Sequence, residues 1–164
     1  MACSTTMRRS FLLAAAEASG VTSLAGASRP PAEYPRVLKW EELTASDLRA
    51  ALIRGSLVYV PLGTLEFHGP HLPIGTDSIH AEEFCLAAAA RTGGVVLPAI
   101  PWSPHGNEKG PGSILVREET FNSLVTDILT RLAEQQVRWI VACTGHYPAK
   151  QEPAIRKLAD EVMK

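Results

Sequence analysis

The sequence has few cysteines, and the three that it has cannot form a disulfide framework. Cys3, Cys85 and Cys143 are odd in number and widely spaced, which excludes a disulfide framework and a C-x-x-C metal motif. Cys85 and Cys143 lie in apolar stretches, where a free cysteine packs as a small hydrophobic side chain. We therefore expect both of these thiols to be buried.

The sequence also lacks an excess of charge, a long apolar run and a serine nucleophile motif. Its 16 basic and 17 acidic residues give a net charge of -1, and no basic stripe is visible, which argues against nucleic acid as a partner. Past the N-terminal region the longest weakly polar run, residues 84–90, is too short to span a bilayer. The absence of G-x-S-x-G argues against an α/β hydrolase with a nucleophilic serine.

The first 28 residues resemble a bacterial twin-arginine export signal. Arg8 and Arg9 precede an apolar step that begins at Phe11, and Ala25-Gly26-Ala27 is a small-x-small cleavage candidate. We expect export to the periplasm or the exterior, with Cys3 lost in the removed leader. The alternative is an uncleaved N-terminal tail on a cytoplasmic protein.

Two further segments complete the predicted organisation. Residues 29–36 are rich in proline and are predicted to form an extended linker. Residues 37–164 are then expected to form one domain, because the chain is too short for two comfortable ones.

Helical and strand patterns alternate along this domain. Helices are predicted at 41–54, 78–91, 119–136 and 149–164. Short, nearly continuous apolar runs at 56–62, 95–100 and 137–143 predict strands that are buried on both faces. This alternation predicts an α/β fold with a mostly parallel sheet between helices. Expected helix caps are Thr44 or Ser46 for the first helix and Thr76 or Asp77 for the second.

The stretch from Pro61 to Asp77, PLGTLEFHGPHLPIGTD, concentrates ligand-type side chains directly after the first predicted strand. These side chains are Glu66, His68, His71 and Asp77. His146 follows the last predicted strand in the same way. Since sites in open parallel sheets form outside the carboxyl ends of the strands, we expect the two segments to meet there.

Two carboxylates and two imidazoles form a nitrogen and oxygen ligand set that suits zinc, manganese or iron. Glu66 and His68 are two residues apart, so their side chains diverge in an extended segment. That spacing suits two neighbouring ions at least as well as one, with Asp77 as a bridge. The alternatives are that Asp77 only caps the next helix and that Glu66 is a solvated loop acid.

The remaining histidines are weaker metal-ligand candidates. His71 lies between two prolines and is expected to support the ligands or to pack, rather than to bind metal. His80 on the next predicted helix and His105 in the long loop at 101–118 are not expected to be ligands. A loop of that length in a compact domain is more often functional or mobile than idle.

These residues resemble the signature of the creatininase family, the creatinine amidohydrolases. Residues 63–77 fit the pattern G-[ST]-x-E-x-H-G-P-H-L-P-x-x-x-D, and Thr144-Gly145-His146-Tyr147 is similar to the family's N-G-H-[YG] motif. Pro111-Gly112-Ser113 is similar to its P-G-T turn. The likeness runs from about residue 37 to the end of the chain.

The resemblance implies a three-layer α/β/α sandwich and a metal-dependent hydrolase. Its substrate would be a small molecule with a non-peptide or cyclic C–N amide bond, attacked by a metal-activated water. Glu66, Asp77 and His146 would hold one ion, and His68 and Asp77 a second. Zinc is the first expectation for the metal, with manganese or iron as alternatives, and the family resemblance also implies a homo-oligomer.

Two departures from the family pattern support an alternative function. Pro148 stands where creatininases proper have a metal-binding glutamate, and the chain ends eighteen residues after His146, without the family's H-A-G-x-x-E-T-S segment. The chain therefore looks C-terminally truncated, and the alternative is a non-catalytic remnant that binds metal or merely folds. The pocket candidates are Tyr147, Gly145 and Glu108, and the proton donor to the leaving nitrogen is unassigned.

Overall fold

The computed structural model describes residues 10–15, 37–55 and 57–162. Its helices and strands are β1 (Ser10–Ala15), β2 (Leu38–Lys39), a 3-10 helix (Trp40–Glu42), α1 (Ala45–Arg54), β3 (Leu57–Leu62), α2 (Thr76–Thr92), β4 (Val95–Val96), α3 (Glu118–Glu134), β5 (Trp139–Thr144) and α4 (Gln151–Val162). The twin arginine, the proposed cleavage site, Cys3 and the linker at 29–36 lie outside the described residues.

The strands form one five-stranded sheet in the order β1-β5-β3-β4-β2, and every neighbouring pair is parallel. The predicted α/β fold with a parallel sheet is therefore confirmed. Sequence reasoning missed the two edge strands. β1 pairs along its whole length with β5, although the segment that contains it was assigned to an export signal. The export signal itself stays a prediction.

Helices cover both faces of the sheet. Alternate side chains of β3 point to opposite faces and pack into two separate cores. One core joins Val58, Val60 and Leu62 of β3 to Phe121 and Leu129 of α3 and Ile155 of α4. The other core joins Tyr59 of β3 to Cys85 and Ala89 of α2 and Cys143 of β5. The predicted burial of both cysteines is confirmed, with Cys85 and Cys143 exposed by 0% and 2%.

The start of α2 differs from the sequence prediction in a way that matters for the site. Its N-cap is Gly75, with no side-chain hydrogen bond, and both Thr76 and Asp77 lie inside the helix. The Thr76 hydroxyl donates to the carbonyl oxygen of Pro73 at 2.6 Å. The idea that Asp77 serves only as a helix cap is therefore wrong, and its carboxylate is available for other contacts.

The other boundaries shift by a few residues. α1 starts later than predicted, since the Thr44 side chain caps it by accepting from the Asp47 N–H at 3.2 Å. β4 stops after two residues, because Pro98 has no N–H to continue a ladder. α3 ends before Gln136, whose φ of 61° is incompatible with a right-handed helix. Within the described ranges, no helix is both long and apolar enough to cross a membrane.

Candidate metal centre

Two glycines bring the ends of β3 and β5 against the first turn of α2. A Cβ on Gly63 would lie 2.5 Å from the Cα and N of Ser78, and a Cβ on Gly145 would collide with the carbonyl oxygen of Asp77. Only glycine tolerates such close approach between backbones. Because Gly145 directly precedes His146, its close approach to the backbone of Asp77 places the histidine beside the Asp77 carboxylate.

Glu66, Asp77 and His146 form a compact group whose ligand atoms all lie within 4.8 Å of one another. Nδ1 of His146 is 2.7 Å from Oδ2 of Asp77 and 3.1 Å from Oε2 of Glu66. Asp77 and His146 are buried, and the Glu66 side chain is 15% exposed. The structure thus brings together the three residues that the sequence placed at two separate strand ends.

His68 joins the group through the other oxygen of Asp77. Its Nε2 is 3.1 Å from Oδ1 of Asp77, on a side chain that is 27% exposed. The two oxygens of one carboxylate are therefore divided between two histidines, with Oδ2 facing His146 and Oδ1 facing His68. This arrangement is the one expected of a carboxylate that bridges two cations.

Backbone carbonyls select the tautomers of both histidines. Nε2 of His146 lies 2.8 Å from the carbonyl oxygen of His105, and Nδ1 of His68 lies 2.9 Å from the carbonyl oxygen of Glu66. A carbonyl only accepts, so each of these nitrogens carries the proton. Nδ1 of His146 and Nε2 of His68, which face the carboxylates, are left with lone pairs in the neutral rings.

The donor set fits a divalent cation. Two carboxylates in a buried site repel each other and lose hydration unless a positive charge lies between them. Among the described residues, only histidines form ion pairs with Glu66 or Asp77. Asp77 Oδ2 has no hydrogen bond despite its burial, and it faces the imidazole lone pair across the short gap. A proton or a metal ion is needed to make that contact favourable.

The electrostatics of the metal-free site act on His146. Burial lowers the pKa of its imidazole, but the contact with Asp77, the hydrogen bond to the His105 carbonyl and the charge of Glu66 outweigh burial. The net pKa is raised above the ordinary value. The imidazole of the metal-free site therefore takes up a proton more readily than an ordinary histidine, and the protonated ring pairs with both carboxylates.

The long loop between β4 and α3 supports the site from outside. The Asn107 N–H donates to Oε1 of Glu66 at 2.8 Å, and the Phe67 N–H donates to the Ser113 hydroxyl at 2.9 Å. Leu65 also pairs with Ile114 across an isolated antiparallel bridge. The alternative that Glu66 is a solvated loop acid is wrong, because both of its oxygens have partners inside the site.

The other predicted residues are placed less centrally. His71 is exposed with its ring against Gly69, and within the described chain no hydrogen bond or ion pair joins it to the ligands. His80 is exposed on α2, and Glu108 is exposed in the loop, where it lines a cavity of about 540 Å³. Tyr147 is 47% exposed beside His146. Roles for His71, Tyr147 and Glu108 stay predictions.

Sequence reasoning missed the backbone groups that orient the ligands. His105 was not expected to be a ligand, yet its carbonyl oxygen fixes the His146 ring. The Asn107 N–H that holds Glu66 carries no sequence signal, because any residue except proline has one. The length of the loop and the Pro111-Gly112-Ser113 motif pointed to a functional role for this region, but neither indicated which backbone groups contact the ligands.

The fold and the site define an α/β protein with a candidate metal centre at the carboxyl ends of its parallel strands. Residues 41–164 match the creatininase family model, described as creatinine amidohydrolase. The chain belongs to the creatininase family.

Three relatives illustrate the range of this likeness. Creatinine amidohydrolase of Pseudomonas putida is 30% identical over 113 residues, which cover 65% of this chain and 44% of the relative. 3-dehydro-scyllo-inosose hydrolase of Thermotoga maritima is 25% identical over 116 residues, with 70% and 37% covered. Mycofactocin precursor peptide peptidase of Mycolicibacterium smegmatis is 32% identical over 99 residues, with 55% and 39% covered. The chain thus matches less than half the length of each relative.

Solved structures give the same family. A crystal structure of creatinine amidohydrolase superposes with a TM-score of 0.71 at 27% identity, covering 79% of this chain and 52% of that one. A creatininase structure whose description names manganese superposes with a TM-score of 0.71 at 26% identity, covering 78% of this chain and 52% of that one. Another creatininase structure is described as the Zn-Zn type. Zinc is therefore named for one solved relative and manganese for another.

Proposed function

We propose that this chain is a metal-dependent amidohydrolase that cleaves a non-peptide or cyclic C–N amide bond of a small molecule. One observation carries the proposal. The carboxylate of Asp77 lies between two histidines whose lone pairs face its two oxygens at 2.7 and 3.1 Å. These lone pairs and carboxylate oxygens would bind divalent cations, and in the metal-free site only a proton can take the place of such a cation.

Each side chain then has a defined part in binding. Glu66, Asp77 and His146 hold one divalent ion, and Asp77 and His68 hold a second, with zinc first and manganese as the alternative. Iron is a further alternative, since the same nitrogen and oxygen donors suit it. Divalent ions in such a site supply Lewis acidity, which lowers the pKa of water and polarises a carbonyl group. The chain itself contributes preorganised ligands.

The hydrogen bonds around the ligands limit their movement during turnover. The Asn107 N–H keeps one oxygen of Glu66 occupied, so only Oε2 is directed at His146. The carbonyls of His105 and Glu66 hold the two imidazoles in fixed tautomers. Ligands held in this way need little reorganisation when charge develops on a substrate oxygen.

The proton donor for the leaving nitrogen is the least defined part of the proposal. Tyr147 follows His146 directly in the sequence and is half exposed. We assign it as the first residue to test in that role. Glu108 is the second, because its loop also carries the Asn107 N–H that holds Glu66.

A non-catalytic protein is the second candidate function, and Pro148 is the observation that favours it. A proline has no side-chain donor atom, so a ligand that creatininases proper have at this position is missing here. The same feature argues against creatinine itself as the substrate more than it argues against hydrolysis.

One experiment separates these functions. The purified full chain is stripped with a chelator, titrated with Zn²⁺ and Mn²⁺, and assayed against creatinine, formamides and short peptides. We expect metal binding together with hydrolysis of at least one amide, and loss of both in Glu66→Ala. Tight binding without hydrolysis favours the non-catalytic candidate. If the chain binds neither Zn²⁺ nor Mn²⁺, both the hydrolase and the non-catalytic metal-binding protein are overturned.

A further inference from the structure

Gln151 is a polar side chain buried behind the metal centre. It is the first residue of α4 and is only 1% exposed. Its Oε1 accepts from the Ser103 hydroxyl at 2.6 Å, and its Nε2 donates to the Thr144 hydroxyl oxygen at 3.2 Å. One amide therefore links the loop after β4 to the end of β5.

Both partners of this amide also contact the segments that hold His146. The Thr144 hydroxyl accepts from the His146 N–H at 3.2 Å and lies 2.7 Å from the His146 carbonyl oxygen. The Ser103 hydroxyl accepts from the His105 N–H at 3.3 Å. The His105 carbonyl is the acceptor that selects the His146 tautomer. Gln151 thus connects the backbone of His146 to the group that orients its ring.

Each hydroxyl in this network has a single proton, and this determines which group donates in each hydrogen bond. Thr144 donates its only hydroxyl proton to the His146 carbonyl, so Gln151 must present an N–H to it and its oxygen to Ser103. Ser103 gives its own proton to that oxygen over the shorter distance. The His105 carbonyl, 3.2 Å from the Ser103 hydroxyl, is the nearest alternative acceptor. Without the Gln151 amide, the Ser103 hydroxyl would donate to the His105 carbonyl oxygen instead.

We propose that Gln151 is a positioning residue of the metal centre, a role that rests on the proposed function. By fixing the Ser103–His105 turn to β5, Gln151 keeps the His105 carbonyl opposite Nε2 of His146 and leaves the Nδ1 lone pair for the ion. Hydrogen-bonded partners behind metal ligands typically change metal affinity 10–100-fold when they are lost. A purely structural role predicts lower stability with the same tautomer and the same affinity.

The test uses Gln151→Met in the full chain, because methionine keeps the side-chain length and removes both hydrogen bonds. After chelation, Zn²⁺ affinity is measured by competition titration, and the His146 tautomer is measured by ¹⁵N NMR at pH 9. Because Gln151 acts through Ser103 and Thr144, we expect Zn²⁺ binding to weaken by about tenfold, the lower end of the range for groups bonded directly to a ligand, with a mixture of tautomers in place of Nε2–H alone. Gln135→Met, at the exposed end of α3, is the matched control and should match the wild type.

A second variant keeps the test decisive if Gln151→Met does not fold. Ser103→Ala cuts the same link from the loop side and should change affinity and tautomer in the same direction. Wild-type affinity and tautomer in folded Gln151→Met or Ser103→Ala overturn the proposal, as does weaker binding with an unchanged tautomer.

The failure of this proposal is distinguishable from the failure of the proposed function. A wild-type chain that binds no Zn²⁺ overturns the proposed metal-dependent function. The His146 tautomer of the metal-free variants then still shows whether Gln151 orients the imidazole. A wild-type chain and a Gln151→Met chain that bind Zn²⁺ equally well leave the function intact and remove Gln151 from it.

Discussion

Asp77 and His146 meet at 2.7 Å although one lies in the first turn of a helix and the other follows a strand much later in the chain. The contact exists because Gly145 lets the end of β5 approach the backbone of Asp77. A buried carboxylate and an imidazole lone pair at this distance repel each other unless a cation joins them. This pair is therefore the most sensitive point at which to test the metal centre.

Asp77→Asn should abolish binding of both ions. The amide keeps the size of the side chain but removes the charge that faces His68 on one side and His146 on the other. We expect Zn²⁺ affinity to fall by at least about 100-fold, the upper end of the loss known for groups that only support a ligand. The pKa of His146, followed by NMR in the metal-free protein, should fall at the same time.

Asp127→Asn is the matched control for this substitution. Asp127 is exposed on α3, so its loss should leave both Zn²⁺ affinity and the His146 pKa unchanged. Retention of wild-type affinity in Asp77→Asn would contradict the bridging role of this carboxylate.

The stability of the metal-free protein should fall as pH rises through the His146 pKa. That pKa is raised in the folded state, so the protonated ring stabilises the fold fully below its unfolded value of about 6.5. The contribution is lost above the folded pKa. Zn²⁺ affinity should change in the opposite sense, since the ion competes with the proton for Nδ1.

Urea unfolding in the presence of a chelator, from pH 5 to 9, measures the first trend, and Zn²⁺ titration over the same range measures the second. His146→Gln should flatten the step in stability, and His80→Gln, at an exposed position on α2, should not. A metal-free protein that becomes more stable across the His146 titration would disprove the sign of this effect.

Gly145→Ala should move His146, which follows β5, away from Asp77 on α2. Its Cβ collides with the carbonyl oxygen of Asp77 and comes within 3.1 Å of the Ala81 nitrogen, both of which are helix backbone and cannot rotate away. Overpacking of this kind costs about 1–3 kcal/mol of stability. Because the strain falls between Asp77 and His146, Zn²⁺ affinity should drop as well.

Gly55→Ala is the control for a glycine without close neighbours. Nothing lies within 4 Å of the position of its Cβ, and its φ of -131° suits any residue. Thermal unfolding and Zn²⁺ titration of both variants test the difference. Equal behaviour of the two alanine variants would show that the approach of β5 to α2 does not depend on Gly145.

The site could be predicted from the sequence wherever it depends on side-chain chemistry at strand ends. Glu66, His68, Asp77 and His146 were placed correctly near one another, because parallel strands direct their carboxyl ends to one edge. The carbonyl of His105 and the N–H of Asn107 could not be predicted, since every residue has such groups and only the path of the loop aims them. Gln151 gave no signal because helix starts are often polar.

The limits on fold prediction have a similar cause. The central strands were found because continuous apolar runs indicate burial on both faces. β2 is only two residues long and has no periodicity to detect, and Asp77 was offered as a cap because its sequence context fits that role. β1 was assigned to a different purpose, because an apolar step after two arginines is typical of export signals.

Removal of residues 1–28 should weaken the fold and spare the metal centre. β1 pairs with β5 from Ser10–Trp139 to Ala15–Thr144, so its removal leaves the edge of β5 unpaired and should lower the melting temperature. Asp77 lies on α2 and the other three proposed ligands lie in the loops after β3 and β5, and none contacts residues 10–15 through a described hydrogen bond. Zn²⁺ affinity of the folded truncated chain should therefore stay within about threefold of the full chain, well inside the 10–100-fold loss expected when a supporting contact is removed. A tenfold or larger loss at a temperature where the truncated chain is folded would show that β1 helps to position His146 through β5.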